Sequence, residues 1–190
     1  SNVLRNILLV GVVLVTPVIY GSAVSAASAE ALKPIVGISI DNGDSAGVEA
    51  SKLGMIEAVQ AAGGIPIVLN DRGDRSPDKD IKKIDVLIVQ GDTLDVDPAL
   101  YGQKPHKETR IETDKSRSSY ENKIIPLALH DKMPVLLICG GMQRTNALLG
   151  GTLLQHIPDL KGVEPGHGNN HSLPPQTPSV TATVVPDSKF

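Results

Sequence analysis

Four short apolar runs divide this chain: 35–40 (Ile-Val-Gly-Ile-Ser-Ile), 65–69, 86–90 and 134–139. Five or six aliphatic and β-branched residues are too few for a core helix. Apolar at nearly every position, such runs read as strands covered on both faces. Helix-compatible stretches lie between them. After a polar loop at 41–47, residues 48–62 carry Val48, Leu53, Ile56 and Val59 at helical spacing, and Gly63-Gly64 stops that helix. Pro66 predicts an edge strand or a strand start. A polar connection with a short helix spans 71–84, and a long loop spans 92–113. A helix is predicted over 120–129, kinked or interrupted at Pro126, and another over 141–149, stopped by Gly150-Gly151. Residues 158–178 read as loop and 179–185 as a strand. Strand and helix alternate, which predicts an α/β fold: a mostly parallel sheet with helices on both faces. On such a sheet, reactive groups gather at the carboxyl ends of the strands.

Two loops at those ends carry chemistry. Gln90-Gly91-Asp92 follows the third strand, and Cys139-Gly140-Gly141-Met142-Gln143 follows the fourth. Cys139 is the chain's single cysteine. Taken alone, a cysteine closing an apolar strand is more often a small buried hydrophobe than a nucleophile. The glycine pair shifts the balance, because a packing cysteine needs no tight turn directly after it. A strand that breaks into two glycines and re-enters a helix turns sharply, and the residue at the turn is strained and exposed. A thiol there faces a helix N-terminus, whose dipole and free N–H groups favour a thiolate and can also hold an oxyanion.

Other chemistries find less support. No G-x-G-x-x-G follows the first strand and no Walker A sequence is present, so dinucleotide and nucleoside-triphosphate sites are unsupported. Asp92, Asp95 and Asp97 lack the glycine and terminal glutamate of a calcium loop. His167 and His171 sit in a glycine- and asparagine-rich segment and read as surface histidines rather than a zinc pair. Neither a metal nor a cofactor is expected. Aromatic residues make up only 2% of the chain and the formal net charge is −3. Stacking surfaces and a basic track for nucleic acid are therefore not expected.

Residues 1–29 read as an export signal. Arg5 precedes the apolar stretch 7–19, and a small-residue segment with A-x-A-like cleavage sites follows. This predicts a periplasmic or secreted protein whose lone cysteine stays a free thiol.

With these residues laid out, the chain resembles the class I glutamine amidotransferase-like superfamily from about Pro34 to Phe190. Its nearest likeness is to the branch of gamma-glutamyl hydrolases that cleave gamma-glutamyl-gamma-aminobutyrate. Ile138-Cys139-Gly140-Gly141-Met142-Gln143 and Leu149-Gly150-Gly151-Thr152-Leu153 are similar to the family's Cys-Arg-Gly-Met-Gln and Leu-Gly-Gly-Thr-Leu blocks. Gln90-Gly91-Asp92, Asp95-Val96-Asp97-Pro98 and Tyr101-Gly102 resemble its oxyanion loop and the continuation of that loop. Glu121 stands where the family has the glutamate of an Asp-x-x-Glu helix motif.

The resemblance implies a flavodoxin-like domain over 34–190. It also implies covalent hydrolysis of a small gamma-glutamyl substrate. Cys139 would form a gamma-glutamyl thioester, the N–H groups of Gly140 and Gly91 would make the oxyanion hole, and Gln143 with Gly141 would hold the glutamate moiety. Glycine replaces the family's arginine at Gly140, and Ser118 replaces its aspartate. The family's catalytic histidine and its acidic partner fall beyond Phe190. The chain thus reads as a C-terminally truncated member, expected to turn over poorly and to self-associate through an open sheet edge. The alternative is a catalytically inactive remnant that binds a small amino-acid ligand or a protein partner.

Overall fold

A computed structural model describes residues 33–40, 46–69, 76–92 and 94–159. The export segment, His167, His171 and the strand expected at 179–185 lie outside the described residues. Four strands pair in parallel in the order β2-β1-β3-β4: β1 is Ile35–Ser39, β2 Ile65–Leu69, β3 Val86–Val89 and β4 Val135–Leu137. Among the described residues, four α-helices connect or follow them: α1 Ala46–Ala61, α2 Pro77–Asp80, α3 Ser116–His130 and α4 Gly140–Leu148. This is the parallel, helix-covered α/β sheet that the alternation predicts.

Strand periodicity divides the core into two layers. Val36, Ile38 and Ile88 face one way and pack with Val59 of α1. Leu87 and Val89 face the other way and pack with Tyr120, Ile124, Ile125 and Ala128 of α3. Consecutive strand residues alternate faces, so Gly37 and Ser39 share the α3 side of β1. A Cβ on Gly37 would lie 2.7 Å from Leu69 Cδ1 and 2.8 Å from Ile84 Cδ1, so these side chains fill the space that glycine leaves. β2 is an edge strand with Pro66 as its second residue, where a missing ladder donor costs least.

Three local expectations change. α1 begins at Ala46, and Leu53 is 54% exposed; Met55 packs inward instead, beside the expected Ile56 and Val59. α3 starts at Ser116, four residues before the apolar pattern, and runs unbroken through Pro126. Its first turns bury Ser118 and Glu121, polar residues that an apolar repeat does not register. The helix survives Pro126 because Ile124, Ile125 and Ala128 around it are fully buried, and that packing outweighs one lost backbone bond.

The connection expected as loop over 92–113 contains a short 3₁₀ turn and an isolated bridge. Asp97 caps a 3₁₀ turn at Pro98–Tyr101 by accepting from Ala99 N at 3.0 Å, and Gly102 closes it at φ 73°. Asp95 bridges to Ile111. Among the described residues, no helix is long and apolar enough to cross a membrane.

Candidate functional site

β1 and β3 are neighbours, but the chain leaves them toward opposite edges of the sheet. A crevice opens at the carboxyl ends of such a pair. Ser39 ends β1, Gln90-Gly91-Asp92 follows β3, and Cys139 follows β4 on the same side.

Cys139 has φ 48° and ψ −107°, is exposed, and immediately precedes α4. A non-glycine residue there is strained by about 1–3 kcal/mol. Close packing holds it in place. A Cβ on Gly141 would stand 2.7 Å from the Val89 carbonyl oxygen, so only glycine lets α4 start against the end of β3. A Cβ on Gly91 would stand 2.9 Å from Cys139 Cβ and 3.6 Å from its Sγ. A Cβ on Gly140 would stand 3.2 Å from Asp92 N. The loop after β3 and the cysteine turn thus meet through Gly91 and Gly140. Gly141 donates its N–H to the Ile138 carbonyl at 2.9 Å and Gln143 donates to the Cys139 carbonyl at 3.0 Å. Gln143 is half-buried on the first turn of α4.

Behind the loop lies a buried charge cluster that the sequence pattern did not disclose. Glu121 is 1% exposed. Its Oε1 accepts from Ser39 Oγ at 2.7 Å and from Arg117 Nε at 2.8 Å. Arg144 Nε of α4 lies 2.9 Å from Glu121 Oε2, an ion pair not aligned as a hydrogen bond, while Arg144 Nη1 donates to Asn122 Oδ1 at 3.2 Å. Arg117 Nη2 donates to the Gln90 carbonyl at 2.7 Å and to the Gly91 carbonyl at 3.3 Å, and Nη1 reaches Asp92 Oδ2 at 3.4 Å. Two arginines and two carboxylates balance in charge. The signal available in the sequence was the Arg117 and Glu121 pair at i, i+4 spacing, which aligns opposite charges on one helix face.

The three loop carboxylates are committed to separate partners. Asp92 also accepts from Leu94 N at 3.1 Å, and Asp95 accepts from Arg110 N at 2.8 Å. Asp97 meets Lys115 at 2.6 Å. Lys115 first, then the Ala99 N–H, hold the Asp97 carboxyl below its ordinary range. Burial first, then Asp95 and Asp97, raise the Tyr101 hydroxyl. Among the described residues no group of three His, Cys, Asp or Glu side chains could hold a metal ion.

The described histidines lie elsewhere. His106 and His156 stack with centroids 5.0 Å apart, and each faces Asp159, at 3.3 and 4.0 Å. Gln155 fastens that region by accepting from His106 N at 2.7 Å and Thr109 Oγ1 at 2.9 Å. His130 is exposed beside Asp131.

Comparison with known proteins bears on the family and its fold. The Peptidase C26 family profile matches residues 34–190. Protein NtpR of Enterococcus hirae is 34% identical over 71% of this chain and 55% of its own length. "Putative glutamine amidotransferase-like protein RP404" of Rickettsia prowazekii is 37% identical over 54% of this chain and 36% of its own length. "Putative glutamine amidotransferase Rv2859c" of Mycobacterium tuberculosis is 37% identical over 66% of this chain and 42% of its own length. The matches thus span about half or less of each of these relatives.

Proposed function

Because the chain belongs to the Peptidase C26 family, within the class I glutamine amidotransferase-like superfamily, we propose that it is a cysteine-dependent hydrolase of gamma-glutamyl amides. The observation that carries this reading is the exposed Cys139 at φ 48°, ψ −107°, set between the end of β4 and the start of α4. Strained backbone of this kind clusters at reacting centres.

Cys139 Sγ attacks the gamma-amide carbonyl carbon. The tetrahedral oxyanion is held by the N–H groups of Gly140 and Gly91. Collapse breaks the C–N bond, the amine leaves with a proton, and a gamma-glutamyl thioester remains. Water then attacks the thioester carbonyl, releasing glutamate and the thiol. Gln143 contributes to holding the glutamate moiety. Gly141 contributes by lacking a side chain, since its N–H is already given to Ile138. The base that takes the thiol proton and later activates water is assigned outside the described residues, because His106 and His156 sit on Asp159 and His130 on Asp131. That same observation favours a second reading, in which this chain binds a gamma-glutamyl ligand without turning it over.

The test is glutamate release from gamma-glutamyl amides together with mass-spectrometric detection of a Cys139 adduct with a glutamine-like chloroketone. Adduct and release, both lost in Cys139→Ala, support the hydrolase. Adduct without release supports the binding reading. Neither one defeats both. Residues 1–29 are assigned as an export signal, with the mature protein periplasmic or secreted. Expression in a bacterial host should yield exported protein whose N-terminus begins near Ala27 or Glu30, and an intact N-terminus on cytoplasmic protein would refute this.

A further inference from the structure

We infer that Arg117 is the positioning residue that aims the oxyanion donor of the Gly91 loop at Cys139. This rests on the acyl-transfer reading above and adds to it a residue outside the reacting groups. Gly91 has no Cβ to restrict its backbone, and a side chain there would collide with Cys139. The closeness that brings the loop to the nucleophile therefore also leaves its peptide planes poorly determined by the loop itself. Something else has to fix them.

Arg117 does so from behind. In a trans peptide the carbonyl of one residue and the N–H of the next point in opposite directions. Arg117 Nη2 holds the Gln90 carbonyl at 2.7 Å, so the Gly91 N–H points away from Arg117. The weaker bond from the same nitrogen to the Gly91 carbonyl, at 3.3 Å, orients the following peptide and its Asp92 N–H.

The guanidinium is itself held on two sides. Glu121 takes Nε at 2.8 Å, and Asp92 Oδ2 faces Nη1 at 3.4 Å. Glu121 is fixed in turn by Ser39 of β1 and Arg144 of α4. Lysine could meet Glu121 or a carbonyl, but its single ammonium lacks the rigid fork that reaches both at once. Arg117 touches no reacting atom in this scheme and acts through the peptide it orients.

The experiment compares two reactions of the same thiol in the 190-residue chain. One is the single-turnover release of p-nitroaniline from L-gamma-glutamyl-p-nitroanilide, which passes through an oxyanion. The other is alkylation by iodoacetamide, a direct displacement at carbon that forms none. Both are run at about pH 9.5, above the ordinary thiol range, so the thiol needs no protein base, and solvent water supplies the proton with which p-nitroaniline leaves.

Arg117→Ala should slow acylation by roughly 10–100-fold, less than the ~10²–10³-fold of a deleted oxyanion donor, because the donor is misaimed rather than removed. Iodoacetamide alkylation should stay within about twofold, because the thiol itself is not moved. The substrate concentration at half-saturation should change little. Arg117→Lys should fall between Arg117→Ala and the parent chain, and it carries the test if Arg117→Ala does not fold. Equal acylation by the parent chain and both variants overturns the inference alone. Parallel losses in both reactions overturn it too, since they would make Arg117 merely structural. No acylation by the parent chain at all defeats the proposed reaction, and this inference with it.

Discussion

Replacing Glu121 by glutamine keeps the shape of the buried cluster and removes one charge. Oε1 takes two donors, from Ser39 and Arg117, and Oε2 faces Arg144 Nε at 2.9 Å. A glutamine amide has one acceptor oxygen and one donor nitrogen. In either orientation its NH₂ meets a donor: Arg144 on one side, or Ser39 and Arg117 on the other. The cluster of two arginines and two carboxylates also shifts from neutral to a net positive charge, with both guanidinium groups about nine-tenths buried. Breaking a buried pair by neutralising one partner costs about 3–5 kcal/mol. For a chain of this length that corresponds to a drop of roughly 6–20 °C in Tm. The assay is urea or thermal unfolding of Glu121→Gln beside Glu49→Gln. Glu49 pairs with Lys52 on the surface of α1 and is 51% exposed, so its neutralisation should cost under about 1 kcal/mol. Added salt should leave the Glu121 effect largely intact, because buried pairs are poorly screened. A Glu121→Gln loss as small as that of Glu49→Gln would show that water reaches the cluster. The account of how Arg117 is held would then be wrong.

Two further predictions rest on other observations. Gly141→Ala places a Cβ 2.7 Å from a backbone oxygen of β3 that cannot rotate away; unfolding should show a loss of about 1–3 kcal/mol, whereas no loss would mean that α4 shifts freely against the sheet. The Asp97–Lys115 pair should make stability depend on pH at both ends. Asp97 titrates lower folded than unfolded, so its contribution is present above the ordinary carboxylate range and is lost as pH falls through its depressed folded value. Lys115 titrates higher folded, held by the Asp97 hydrogen bond, so its contribution is present below the ordinary lysine range and lost as pH rises through the raised value. The stability difference between the parent chain and Asp97→Asn, read from urea midpoints, should therefore shrink on acidification below about pH 4; a difference that does not shrink refutes the pairing.

How much of this was legible in the residues follows from which forces leave a periodic trace. The four strands were legible because burial on both faces demands unbroken aliphatic runs. The turn at Cys139 was legible because only glycines permit it. The first turns of α3 were not, since Arg117, Ser118 and Glu121 face inward and break the apolar repeat that marks a helix face. Leu53 erred in the opposite sense: it has the right spacing but lies 54% exposed, with Met55 packed inward instead. The 3₁₀ turn at Pro98–Tyr101 did have signals, Asp97 as cap, Pro98 at the first position and Gly102 at the close. They were submerged in a stretch whose polarity suggested loop.

The buried charges and the strained cysteine belong to one arrangement. A strained turn persists only when its surroundings leave it no alternative. Gly141 against Val89 and Gly91 against Cys139 supply that constraint by contact, but close contact at a glycine constrains position more than orientation. Orientation needs directional bonds, which in this fold come from the carbonyls of Gln90 and Gly91 to Arg117. A guanidinium so little exposed needs a carboxylate, and Glu121 needs Ser39 and Arg144 to complete its bonding. The chain of dependence runs from β1 through α3 and α4 to the loop after β3. Under the proposed acyl transfer, reactivity at Cys139 becomes a property of how four separate elements pack, and substitutions with no contact to it should change the rate.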